Sequence, residues 1–150
     1  MVTTQEIYGP GTCPYASVFF LEAANPADLR VTGQFGIAEN DPMRCAQTEA
    51  RDGAFTPHNV LIADDLAFVS WYAAGLRVID LRERANPTEV AYFIPEPLPD
   101  VVADDFTLGT HPVRMWSTPI LRDGYFYLVD IRNGLFILEY TGQRAADQTS

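Results

Sequence analysis

Apolar residues in this chain recur in short alternating runs, not at helical spacing. Leu66, Phe68 and Ser70 alternate with Ala67, Val69 and Trp71, and Leu76 to Asp80 and Glu89 to Phe93 follow as runs of similar length. Each holds five or six residues, is rich in β-branched and aromatic side chains, and is bounded by Gly, Pro, Asn or Asp, the punctuation of strands. With 11 prolines and 10 glycines spread along the chain, little room is left for a helix of three turns. Glu49-Ala50-Arg51 and Ala145-Ala146 have helix propensity but neither an apolar stripe nor a cap. The pattern predicts an all-β fold.

A repeat organises these runs. Residues 63–81, Ala63-Asp64-Asp65-Leu66 through Leu81, align without a gap on residues 122–140, Arg122-Asp123-Gly124-Tyr125 through Tyr140, a shift of 59 positions. Asp64-Asp65 and Asp123-Gly124 suit two-residue hairpin turns, and Gly75-Leu76 meets Gly134-Leu135 at the next turn. A weaker echo lies upstream. Ser17 to Leu21, then Ala24-Asn25-Pro26, parallels Val78 to Leu81, then Ala85-Asn86-Pro87. Strands over about 59–62, 66–71, 76–81 and 89–93 give a four-stranded antiparallel meander, the unit of a β-propeller blade. The alternative is one β-sandwich whose two hairpins are alike by chance.

Gly75-Leu76-Arg77-Val78-Ile79-Asp80 followed by Ala85-Asn86-Pro87-Thr88-Glu89-Val90-Ala91-Tyr92-Phe93 resembles the repeat of the LVIVD-type β-propellers, with Gly134 to Glu139 a second copy of its core. The similarity covers about residues 15–140, and Arg82-Glu83-Arg84 replaces the family's usual turn. The resemblance implies a single propeller segment: a partial blade at about 15–35 with two strands, a full blade at about 58–93, a partial blade at about 116–140, and a polar tail, 141–150. A propeller needs about four to eight blades, so the ring is incomplete. The missing blades would come from a longer chain or from other subunits. Family members are mostly secreted or cell-envelope proteins, which implies an extracellular or envelope location. If the chain is exported, Cys13 and Cys45 would pair as a disulfide; in a cytosolic chain they would be two separate thiols.

At 150 residues and 47% hydrophobic content the chain suffices for one domain with a proper core. The net charge of −10 disfavours nucleic acid and anionic lipid as partners, since binding phosphate needs clustered cations. All ten cations are arginine, which excludes a P-loop lysine and a Schiff-base lysine. No run approaches the ~20 apolar residues of a membrane-spanning helix, and Met1 to Glu6 lacks the basic and apolar regions of an export signal.

Candidate chemistry is sparse. His58 and His111 each precede a predicted inner strand and would face one mouth of a propeller channel; with Asp64 or Asp130 they are weak candidates to bind a divalent metal. They are otherwise loop histidines bonded to backbone. Asn59 and Trp116 flank the same mouth, and Arg77 and Arg114 would either steer an anionic ligand or pair with carboxylates. Trp71, Tyr72 and Trp116 could present a carbohydrate-stacking edge or pack between blades. Asp100, Asp104 and Asp105 lack the Gly and closing Glu of a calcium loop. No serine lies in G-x-S-x-G. The reading is a non-catalytic scaffold that uses no cofactor and binds a protein or polysaccharide through loops 36–57 and 94–115. The alternative is a propeller hydrolase or metal-dependent oxidase built on His58 and His111.

Overall fold

The computed structural model describes residues 1–7, 16–45, 55–99 and 111–142. Among the described residues, ten strands form three antiparallel sheets, none closed on itself. The first contains β1 (Val2–Thr4), β2 (Val18–Glu22) and β3 (Arg30–Phe35); the second β4 (Val60–Ala63), β5 (Leu66–Trp71), β6 (Gly75–Asp80) and β7 (Thr88–Phe93). The third, from β8 (Ile120–Arg122), β9 (Tyr125–Asp130) and β10 (Gly134–Glu139), runs in the order β10-β9-β8. Helix is confined to a single 3-10 turn, Ala38–Asn40, and one short α-helix, Pro42–Cys45, among the described residues.

The central hairpin and the last one have the same bounds and register 59 positions apart. Leu66 pairs with Asp80 and Trp71 with Gly75, as Tyr125 pairs with Glu139 and Asp130 with Gly134. Asp64 and Asp123 take φ of 53° and 52°, the left-handed region that a tight hairpin demands. The hairpin β2–β3 matches β6–β7 just as closely, 58 positions apart. Val18 faces Phe35 as Leu76 faces Phe93, and both ladders slip at the same place, after Phe20 and after Val78. The Asn-Pro pairs at 25 and 86 would set this offset at 61, so they sit at different points of their loops.

The first sheet departs from expectation. It has a third strand, β1, paired with β2 through Val2 and Phe20. Three residues with two threonines carry too short a pattern to announce a strand; tertiary pairing with β2 makes it one.

The sheets stack face to face. Val18, Phe20 and the partly buried Phe35 pack on the face of the central sheet that carries Ala67, Val69, Trp71 and Ile79. Its other face, with Leu66, Phe68, Leu76 and Val78, packs on Phe126, Leu128, Phe136 and Leu138 of the third. Phe68 stacks on Phe126 at 4.0 Å, and Phe35 meets Trp71 edge-on at 6.0 Å. Covered on both sides, β5 and β6 are buried at every position. The arrangement is therefore three layers, not one two-layer sandwich.

The Cys13–Cys45 pairing falls outside the described residues, as the Cys13 backbone and Cys45 side chain do. The same holds for Asp100, Asp104 and Asp105, parts of loops 36–57 and 94–115, and most of the polar tail.

Candidate functional site

Where β5 and β9 end, the segment 113–117 threads between the second and third sheets. Met115 bridges Tyr72 on one side and Asp130 on the other, so its neighbours are delivered to the mouth between the sheets. His58 and Asn59 reach the same place from just before β4. The His58 ring lies 4.5 Å from Trp116 and 5.3 Å from Tyr72, and Tyr72 lies 5.3 Å from Trp116. Trp116 O lies 2.7 Å from His58 Nδ1 and accepts from Asn59 Nδ2 at 3.1 Å. The donor Asn59 Nδ2 also lies 2.5 Å from His58 Nδ1, so the carbonyl and the amide converge on the same ring nitrogen. His58 Nε2 is 3.5 Å from the Glu6 carboxylate, which also accepts from the Tyr72 hydroxyl.

Arg114 is fully buried, with its guanidinium 5.2 Å over the Tyr72 ring, a desolvated cation on a π face. Its backbone N–H donates to Asp130 Oδ2 at 2.6 Å. The other Asp130 oxygen accepts from the N–H groups of Arg132 and Asn133, both at 2.9 Å, and from Asn133 Nδ2 at 3.0 Å. One carboxylate oxygen thus shapes the turn and the other holds the crossing segment. Ser70 donates to Ser117 O, and Ser117 Oγ accepts from Val129 N–H at 2.7 Å.

His58, Asn59, Arg114, Trp116 and Asp130 are therefore brought together. Arg77 and His111 make their contacts elsewhere. Arg77 donates to Ala74 O at 2.8 Å, pairs with Glu89 at 3.2 Å and lies 5.2 Å over Tyr92. Of the two roles expected for it, pairing with a carboxylate is the one observed. His111 packs edge-on to Phe55 at 5.6 Å, and its carbonyl accepts from Arg132. Asp64 is separated from His58 by the whole of β4 and occupies the opposite turn. Among the described residues no group of three His, Cys, Asp or Glu side chains could hold a metal ion. Trp71 and Tyr72 are buried, so neither presents a stacking edge to solvent; Trp71 instead donates to Phe55 O at 2.8 Å.

A cleft of about 790 Å³ lies at the end of the first sheet, lined by Gln5, Ser17, Gln34, Ile37, Asn40 and Asp41. Its polar groups are mostly amides and a hydroxyl. Gln34 Nε2 donates to Ser17 Oγ at 2.8 Å, and Asn40 Nδ2 donates to Ala16 O at 2.8 Å. Sequence reasoning did not find Glu6 or this cleft. Glu6 stands in a stretch without pattern, and Ser17 and Gln34 are brought together by the β2–β3 register.

Compared with known proteins, the chain matches no family model and no curated sequence.

Proposed function

We propose that the chain is a segment of a β-propeller of the LVIVD-repeat type and acts as a non-catalytic binding scaffold, exported to the cell surface. The blade reading is supported by the stacking rule: the same two faces meet at both sheet contacts, as repeated units stack. Rim loops at residues 36–57 and 94–115 form the recognition surface, and the cleft includes residues 36–38 and 40–42 of the first.

One observation carries the binding reading over the catalytic one. The groups with catalytic potential are committed to structure, while the open cleft is lined by amides. Asp130 holds a turn, the Asn59 amide holds the Trp116 carbonyl with His58 Nδ1 beside both, and Ser17 is bonded by an amide rather than a base, which leaves its hydroxyl unactivated. Amides and hydroxyls with one carboxylate suit a neutral, hydroxyl-rich ligand such as a polysaccharide.

Cosedimentation with neutral cell-wall polysaccharide tests this. Retention should be lost in Gln34→Ala with Asn40→Ala and kept in His58→Ala. Equal retention of both variants would sink the cleft as the binding site. Stoichiometric metal in the purified protein, lost on altering His58 and His111, would instead support the enzyme reading.

A further inference from the structure

The third sheet turns an apolar face to solvent. On β9 and β10, Tyr125, Val129, Leu135 and Ile137 are exposed, with Ile120 of β8 beside them. The ladders place them on one face: Val129 opposite Leu135, Ile137 opposite Tyr127, and Tyr127 opposite Ile120. The two internal contacts identify this face. Leu135 and Ile137 occupy the positions of Leu76 and Val78 in the central sheet and of Val18 and Phe20 in the first. In those two sheets this face is buried against the next sheet.

The first sheet has the complementary surplus. Phe19 and Leu21 occupy the positions of Arg77 and Ile79, on the face that receives a preceding sheet, and Val31, opposite Leu21, is 61% exposed. The two faces left over are therefore the same pair already joined twice inside the chain.

We propose that a second copy of this chain covers both faces, the third sheet of each packing on the first sheet of the other. A contact between two different faces either closes a ring or grows without end. Blade rings hold about four to eight sheets. The three sheets of the described residues meet that range with two copies and exceed it with three, so the product is a six-sheet ring with two identical contacts. Each copy brings a charge of −10, so association strengthens with salt, which screens the repulsion.

This inference rests on the blade reading, and one sample separates the two. Sedimentation velocity on the full chain should give about twice 16.7 kDa, with the dimer fraction rising with salt. Ile137→Glu and Val31→Glu should each yield monomer, while Val90→Glu stays dimeric. Mixing the two monomeric variants should restore a dimer, because one contact between unaltered faces survives; no contact between identical faces would do so. A monomer at tens of micromolar, or masses that climb with concentration, overturns the ring. NMR contacts between Phe68 and Phe126, and between Phe35 and Trp71, report the blade reading separately. If they are present in a monomer, only self-association is wrong; if absent, both readings fail.

Discussion

Leu76 and Leu135 are the same residue at the same step of two hairpins with matching bounds and registers, yet one is 4% exposed and the other 60%. The strand pattern around each is equally apolar, so local sequence cannot account for the difference. What differs is the layer beyond: the central hairpin has a sheet on each side and the last hairpin has one. A strand sequence in this chain therefore encodes its pairing and its turns, while burial is conferred by stacking order. A run that is apolar at every position but one, as β5 is apart from Ser70, signals a sheet meant for the middle of a stack.

The largest expected effect follows from that pair. Leu76→Ala should destabilise by about 2–5 kcal/mol, the range for emptying a closely packed leucine site. Leu135→Ala should stay within about 0.5 kcal/mol at concentrations low enough to keep copies apart. Urea unfolding of both measures the gap. Equal losses would mean that the last hairpin is covered in solution even at high dilution.

A second comparison uses the glycines that close the two hairpins. Gly75 and Gly134 have φ of 76° and 92°, so alanine is strained at either by about 1–2 kcal/mol. A Cβ at Gly75 would also lie 2.1 Å from Phe93 O, whereas nothing lies within 4 Å at Gly134. Gly75→Ala should therefore cost about 1–3 kcal/mol more than Gly134→Ala, read from urea midpoints at unchanged slope. Matching costs would show that β7 can yield around an added methyl group.

These contrasts also mark what the sequence made legible. Period-two runs and turn residues give nearly all strand bounds, because both are local: Asp123-Gly124 can adopt the left-handed turn wherever it is placed. The site was legible only in part. His58 and Asn59, which flank a predicted inner strand, lie beside Trp116, but His111 has the same sequence context and packs on Phe55. Asp130, a metal candidate by residue type, is a turn former, because the N–H groups of Arg132 and Asn133 converge on it. The first strand and the cleft escaped notice since both depend on long-range register, which a window of a few residues does not contain.

The smallest effect concerns the ends of β6 and β10, where Asp80 corresponds to Glu139. Hydrogen bonds from the Arg82 side chain, chiefly Nε at 2.8 Å and 3.0 Å, hold the Asp80 carboxyl below its ordinary value of 3.8. Glu139 is exposed, and the position that corresponds to Arg82 is Thr141. The folded chain thus binds the Asp80 proton more weakly than the unfolded chain does, so the unfolded state takes up more protons as acid is added. Asp80 then contributes fully above about pH 4, and its contribution fades as pH falls through the lowered folded value. Because Arg82 is largely exposed, water screens the pair and the effect is modest. Asp80→Asn should lower stability at pH 7 slightly and flatten the decline below pH 4. Chemical denaturation repeated from pH 7 to pH 2.5 reads both. Parallel curves for the wild type and Asp80→Asn would show that the turn closes without the carboxylate, leaving sheet stacking alone to separate the two hairpins.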